Sequence, residues 1–121
     1  MAAVVSRGHR LLVCQRPYGK RHGGLWEFPG GKCEAGESDL AATRRELHEE
    51  LGVDLVDVGD SEFVIHDSGS LYLIAFTPVR ISGEPTPLEH LSLCWGCPNE
   101  LVNLQLAPSD RRYVEFLIAR Q

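Results

Sequence analysis

Glu46, Glu49 and Glu50 stand at i, i+3 and i+4, just ahead of Gly52. This acidic arc constrains the chain more than any other feature. Ser38 is a good N-cap, Asp39 suits a first turn and Gly52 suits the position after a last turn. A helix is therefore predicted over 38–51, with Leu40, Leu47 and Leu51 as its core stripe. Like charges at this spacing repel by about 0.2–0.5 kcal/mol per pair in an exposed helix. They also lie at the negative end of the helix dipole. Arg44 and Arg45 soften a merely solvated acidic face, but a divalent cation reverses the sign of the problem. Carboxylates on neighbouring turns suit Mg²⁺, whose coordination is commonly completed by water and phosphate oxygens.

The chain has 121 residues and a net charge of −5. That length fits one domain over 1–121 with a real core. The negative balance advertises no general nucleic-acid or membrane surface. No apolar run reaches the length of a membrane span. "MAAVVSRGHRLLVCQRP" has no long apolar core followed by a small-residue cleavage site. A cytoplasmic protein is the expectation. Cys14, Cys33, Cys94 and Cys97 do not form a secreted disulfide framework. Within "CWGC", alternation puts Leu91, Leu93 and Trp95 on one strand face and Cys94 on the other, so the pair reads as packing rather than as metal or redox chemistry.

"AAVVS" and "RLLVCQ" read as a hairpin turning at Gly8. "PYGKRHGG" is a basic, glycine-rich loop, and "LWEFPGG" a short strand ending in a break. After the helix, "LVDVGDSEFVIH" and "LYLIAFTPVRI" read as two strands joined at "DSGS". "SGEPTPLEH" is a loop, "LSLCW" a strand, and a last helix runs over about 110–119. Setting the short "LWEFPGG" strand aside, the order β-β-α-β-β-β-α predicts an α+β or α/β sandwich with a mixed sheet between helices.

Counting from Gly31, five residues lead to Glu37 and seven more to Arg45-Glu46-Leu47-x-Glu49-Glu50-x-Gly52-Val53. This matches the signature of the Nudix hydrolase family at all nine fixed positions over 23 residues. "LLVCQRP", "LWEFPGGK", "EHLSLCW" and "LAPSD" resemble its MutT branch, so the likeness spans nearly the whole chain. There are two departures. The first strand looks several residues short, which suggests a trimmed sheet edge or a differently placed start site. The turn at Asp67–Ser70 also looks shorter than in similar proteins, which weakens any base contact from that hairpin.

The resemblance implies an α/β/α sandwich, in the α+β class, with the box helix packed on one face. It implies Mg²⁺ as cofactor, with Mn²⁺ able to substitute, held by Glu46, Glu49, Glu50, the carbonyl of Gly30, and Glu89 from the "PLEH" loop. Arg45 orients a box carboxylate, and Glu37 ties the loop to the helix or meets a metal through water. Gly31 and Gly52 serve the backbone, where a side chain clashes or φ is positive. Glu49 and Glu89 compete as general base. Arg16 is expected near the nucleotide, Phe28 in the base pocket and Asp110 at the base edge, although Asp110 also fits an N-cap. Lys20, Arg21 and His22 are even between phosphate attraction and plain surface. His9, His48, His66 and His90 are given no catalytic part.

The implied activity is cleavage of a (deoxy)nucleoside triphosphate, normal, oxidised or modified, to the monophosphate and pyrophosphate. The implied partner is a small nucleotide rather than nucleic acid or membrane, for a monomer or weak homodimer. A dinucleoside polyphosphate or nucleotide sugar is the alternative substrate, with Tyr72 a weak pointer to the former. A non-catalytic module that binds a damaged base is the reading from another class. It sits poorly with a complete set of glutamates.

Overall fold

The computed structural model describes residues 1–67 and 71–121. Its strands are β1 (Ala2–Arg7), β2 (Arg10–Gln15), β3 (Trp26–Glu27), β4 (Asp54–Val58), β5 (Phe63–His66), β6 (Leu73–Ser82) and β7 (Ser92–Gly96). Its helices are α1 (Asp39–Leu51), α2 (Pro98–Leu101) and α3 (Pro108–Ala119). The "DSGS" turn falls mostly outside the described residues.

The strands form one mixed sheet. β1 lies in its middle, antiparallel to β2 and parallel to β6. β1 thus has a neighbour on each side and is an interior strand. Its residues are buried on both faces, as an interior strand between two helical layers requires. Ala3 and Val5 meet Leu12, Cys14, Leu47 and Leu51 beneath α1. Ala2 and Val4 meet Leu11, Val13, Phe76, Tyr113 and Val114 beneath α3. The result is the expected α/β/α sandwich.

β1 and β2 pair at Ser6–Leu11 and Arg7–Arg10, next to the Gly8 turn. Beyond that the segment 26–30 stands between them. On one side Cys14 pairs with Glu27 and Gln15 with Trp26. On the other, Ala2 bridges Gly30, and the Ala3 N–H donates to the Pro29 carbonyl at 2.7 Å. Strand alternation then sends Phe28 toward α3 and Glu27 toward α1.

Three local expectations are revised. "LVDVGDSEFVIH" is two strands rather than one, because the ladder shifts register between Leu55 and Asp57 and breaks after Val58. Helix α3 begins at Pro108, with Ala107 as N-cap, so Asp110 lies inside the first turn and is not the cap. Proline's fixed φ suits it to the first helical position and moves the start upstream. Leu40 is 45% exposed while Leu47 and Leu51 are fully buried. Burial along α1 begins at Ala42, one turn inside the helix start, so an apolar residue at the correct angle finds nothing to cover it.

The α3 side is closed by stacked aromatics. Tyr113 lies 4.5 Å from Phe76, ring to ring, and meets Phe28 edge-on at 5.3 Å. Its hydroxyl donates to Glu62 at 2.8 Å, which satisfies the polar tip of a buried ring. Burial, then the Glu62 carboxylate, push that phenol above its usual range.

These contacts set a contrast along α1. Leu47→Ala is expected to lower unfolding free energy by about 3 kcal/mol, in the range for a buried leucine. Leu40→Ala stays within about 0.5 kcal/mol, as for an exposed position. Urea denaturation of both variants checks the pair, and equal losses would contradict the burial pattern.

Candidate active site

Helix α1 is held at both ends by its sequence. The Ser38 hydroxyl accepts from the Ala41 N–H at 3.1 Å. Gly52 takes φ +68° and donates its N–H to the His48 carbonyl. Between these caps, Arg45 organises the acidic residues. Its Nε and Nη2 donate to the two oxygens of Glu37 at 2.8 and 2.9 Å. Its Nη1 donates to Glu46 at 2.8 Å and to Glu49 at 3.3 Å. A guanidinium presents a planar fork of donors, and here one fork serves three carboxylates. The Glu37 carboxyl is drawn down to about 2, first by Arg45 and then by the Glu34 N–H. The same carboxylates hold Arg45 above its ordinary value. Glu37 thus ties the box loop to the helix.

Gly31 has an ordinary φ and is required by close approach. A Cβ there would stand 2.7 Å from the Glu46 carboxyl carbon. Gly30 needs both kinds of freedom, with φ +134° and the Met1 carbonyl oxygen occupying the space a Cβ would need. Its N–H donates to Glu50 at 3.2 Å.

Glu50 differs from its neighbours. Glu49 is half-exposed, whereas the Glu50 side chain is 6% exposed. Burial pushes the Glu50 carboxyl up to about 9, and the negative charges of Glu46, Glu27 and Glu89 add to it, against the Gly30 N–H. A carboxylate whose charge is disfavoured by burial and by other carboxylates is short of positive charge nearby. Glu46, Glu49, Glu50 and the Gly30 carbonyl are hard oxygen donors, so the residues present fit a divalent cation. Glu89 lies in the exposed loop before β7 and acts on Glu50 through its charge.

Two residues at this centre were missed or passed over in the sequence. Glu27 and His90 join Glu50 in a cluster whose ligating atoms lie within 4.8 Å of one another. His90, read from the sequence as an isolated surface or packing histidine, has a buried imidazole 3.0 Å from Glu27 and 3.6 Å from Glu50. The usable signal for Glu27 was a single acid between Trp26 and Phe28, since alternation sends it to the opposite face. For His90, which sits in a loop, no periodicity gave notice.

Arg16 leaves the end of β2 and donates through Nη1 to both Glu27 oxygens at 3.0 and 3.2 Å. Its Nε donates to the Arg21 carbonyl at 2.7 Å. It borders a cavity of about 450 Å³, which also reaches Glu27, Phe28, Gly30, Gly31 and Asp110. Phe28 is 4% exposed, its ring belonging to the core beneath α3. Its N–H points at Asp110 Oδ1, 2.9 Å away. Burial pushes the Asp110 carboxyl up to about 7 despite that N–H. The cavity lining also holds Arg21, 3.6 Å from Asp67, and the Lys32 ammonium, 4.0 Å over the Tyr72 ring. A larger hollow of about 690 Å³, lined by β1, β4 and β6, contains none of the residues expected in the site. The smaller cavity is the one lined by Glu27, Gly30 and Gly31, next to Glu46 and Glu50 of α1.

Cys94 and Cys97 are free thiols. Cys94 packs toward α3 while Leu93 and Trp95 pack toward α1, as alternation predicts. Cys97 is the N-cap residue of α2.

A sandwich with an acid-laden helix against a mixed sheet, and a cavity leading to it, defines a class that comparison with known proteins identifies. A family model described as the NUDIX domain matches residues 1–117. The chain belongs to the Nudix family. It is 38% identical over 120 residues to the "Putative 8-oxo-dGTP diphosphatase 2" of Mycobacterium tuberculosis, covering 97% of this chain and 85% of that one. It is 38% identical over 124 residues to the CTP pyrophosphohydrolase of Escherichia coli, covering 98% and 90%. Among solved structures, a MutT from work on Aliivibrio salmonicida and Vibrio cholerae superposes with a TM-score of 0.77 at 30% identity, covering 99% and 95%. Among the described residues, no helix is long and apolar enough to cross a membrane.

Asp110 gives a pH test. Its carboxyl is raised from 3.8 to about 7, so the folded state binds this proton more tightly than the unfolded chain does. Its contribution is fully present below the unfolded value and is lost as pH rises through that window. Asp110→Asn keeps an oxygen for the Phe28 N–H and removes the titration. The variant is expected to melt higher than the parent at pH 8, with the difference shrinking toward pH 4. Thermal unfolding across that range checks it, and a pH-independent difference would overturn it.

Proposed function

We propose that this protein is a Mg²⁺-dependent pyrophosphohydrolase. Its substrate is a nucleoside triphosphate, ribo- or deoxy- and with a normal, oxidised or modified base, cleaved to the monophosphate and pyrophosphate. The observation that carries this reading is that one cavity runs from Asp110 and Phe28 to Gly30 and Gly31, which touch Glu50 and Glu46. Base and polyphosphate thus have adjoining places. The names of the two curated relatives, both acting on triphosphates, support the same substrate class.

Glu46, Glu49, Glu50, Glu89 and the Gly30 carbonyl would hold the cation, which when bound neutralises polyphosphate charge and lowers the pKa of water. Arg45 keeps Glu46 and Glu49 aimed, and Gly31 leaves Glu46 its space. The water proton passes to Glu49 or to Glu89, the two solvent-accessible carboxylates beside buried Glu50. Arg16, anchored on Glu27, faces the nucleotide phosphates. Asp110 reads the base edge, accepting from an amino group when ionised. The reading places the enzyme in the cytoplasm, as a monomer or weak homodimer acting on free nucleotides.

The test is a panel of normal and modified triphosphates, with dinucleoside polyphosphates and nucleotide sugars beside them, in Mg²⁺. Monophosphate and pyrophosphate are expected from at least one triphosphate. If Glu49 is the base, Glu49→Gln lowers kcat by about 100-fold or more, the range for a lost general base, and Glu89→Gln does so if Glu89 is. Cleavage of a dinucleoside polyphosphate or nucleotide sugar alone would overturn the substrate. Binding of damaged DNA with no turnover of any nucleotide would overturn the enzyme.

A further inference from the structure

His90 is a buried polar side chain that the proposed reaction leaves without a part. Its imidazole is 4% exposed. Nε2 lies 3.0 Å from Glu27 Oε2, within hydrogen-bond range, and 3.6 Å from Glu50 Oε1. Nδ1 is buried with no partner among the described residues. Because Nε2 faces carboxylate oxygens, which accept, we assign it the hydrogen of the bond to Glu27. Leaving a buried polar atom unsatisfied is unfavourable, and an apolar side chain of the same shape would avoid it. Packing therefore does not account for this ring, and what remains is the work of Nε2.

The neighbours of Nε2 show what that work is. Glu50 Oε2 accepts from the Gly30 N–H, which leaves Oε1 turned toward His90. Glu27 accepts from His90 on one side and from Arg16 on the other. The order Arg16–Glu27–His90–Glu50 joins the end of β2, β3, the loop before β7 and α1. Without an N–H between them, the two acids would repel across a partly buried space.

We infer that His90 is a positioning residue for the cation site, its Nε2–H bonded to Glu27 and its ring set against Glu50 Oε1 at 3.6 Å, so that Glu50 is confined on the side away from the Gly30 N–H. Through Glu27 the same bond fixes the Arg16 guanidinium at the nucleotide cavity. The inference rests on the reading of Glu46, Glu49 and Glu50 as cation ligands.

Binding of Mn²⁺ to the full chain without nucleotide, followed by electron paramagnetic resonance, tests both levels separately. The parent is expected to bind. His90→Leu is expected to bind about 10-fold more weakly, the usual size of effect when the group that orients a ligand is lost, and His90→Gln, whose amide N–H reaches the Nε2 position, is expected to stay near the parent. In activity assays His90→Leu needs more cation than the parent for half-maximal rate. Circular dichroism checks folding. If the leucine variant does not fold, His90→Asn, whose shorter amide falls short of Glu27, replaces it in the comparison with His90→Gln. Equal Mn²⁺ affinity in parent and leucine variant would overturn the inference, as would a glutamine variant as weak as the leucine one, since the ring itself would then be what matters. Failure of the parent to bind Mn²⁺ would instead remove the cation reading on which it stands.

Discussion

β1 and β2 leave their hairpin together and then part, and residues 26–30 fill the gap. The site depends on this insertion. A strand alternates its side chains, so one short segment serves both faces of the sheet. Glu27 goes to the α1 side, among the acids. Phe28 goes to the α3 side, where its N–H holds Asp110. Gly30 closes the segment at a point where the chain passes the Met1 carbonyl with no room for a side chain. The acidic centre and the Asp110 end of the cavity are therefore joined by sheet backbone, and their separation is set by strand geometry rather than by a loop.

The acids are stabilised in two different ways. Glu46 and Glu49 share the Arg45 fork with Glu37, at the protein surface, where water screens what the guanidinium leaves over. Glu50 lies inward, beyond reach of that fork in the contacts it makes, with the Gly30 N–H and His90 as neighbours. Its raised carboxyl expresses that isolation. Glu46 and Glu49 have a guanidinium beside them, whereas Glu50 has a backbone N–H and an imidazole.

The spacing from Gly31 to Val53 was readable because each fixed residue acts through local geometry: caps at Ser38 and Gly52, a fork at Arg45, a clearance at Gly31. The order of strands and helices was readable for the same reason. What escaped depends on neighbours distant in the chain. Leu40 has the correct helical angle but lies one turn outside the packed region. Asp110 has the chemistry of a cap, and Pro108 takes the helix start from it while Phe28, 82 positions away, claims its side chain. His90 and Glu27 stand 63 residues apart, and only the fold makes them partners.

The break between β4 and β5 carries a consequence for life at high concentration. These two strands share the outer flank of β6, and the ladder there is divided into runs of five and four residues, with a register shift inside the first. An unbroken flank would offer a long row of free backbone donors and acceptors to any passing chain. The interruption denies a second molecule the continuous template it would need to extend the sheet, so the break acts as a guard against filament growth from that side.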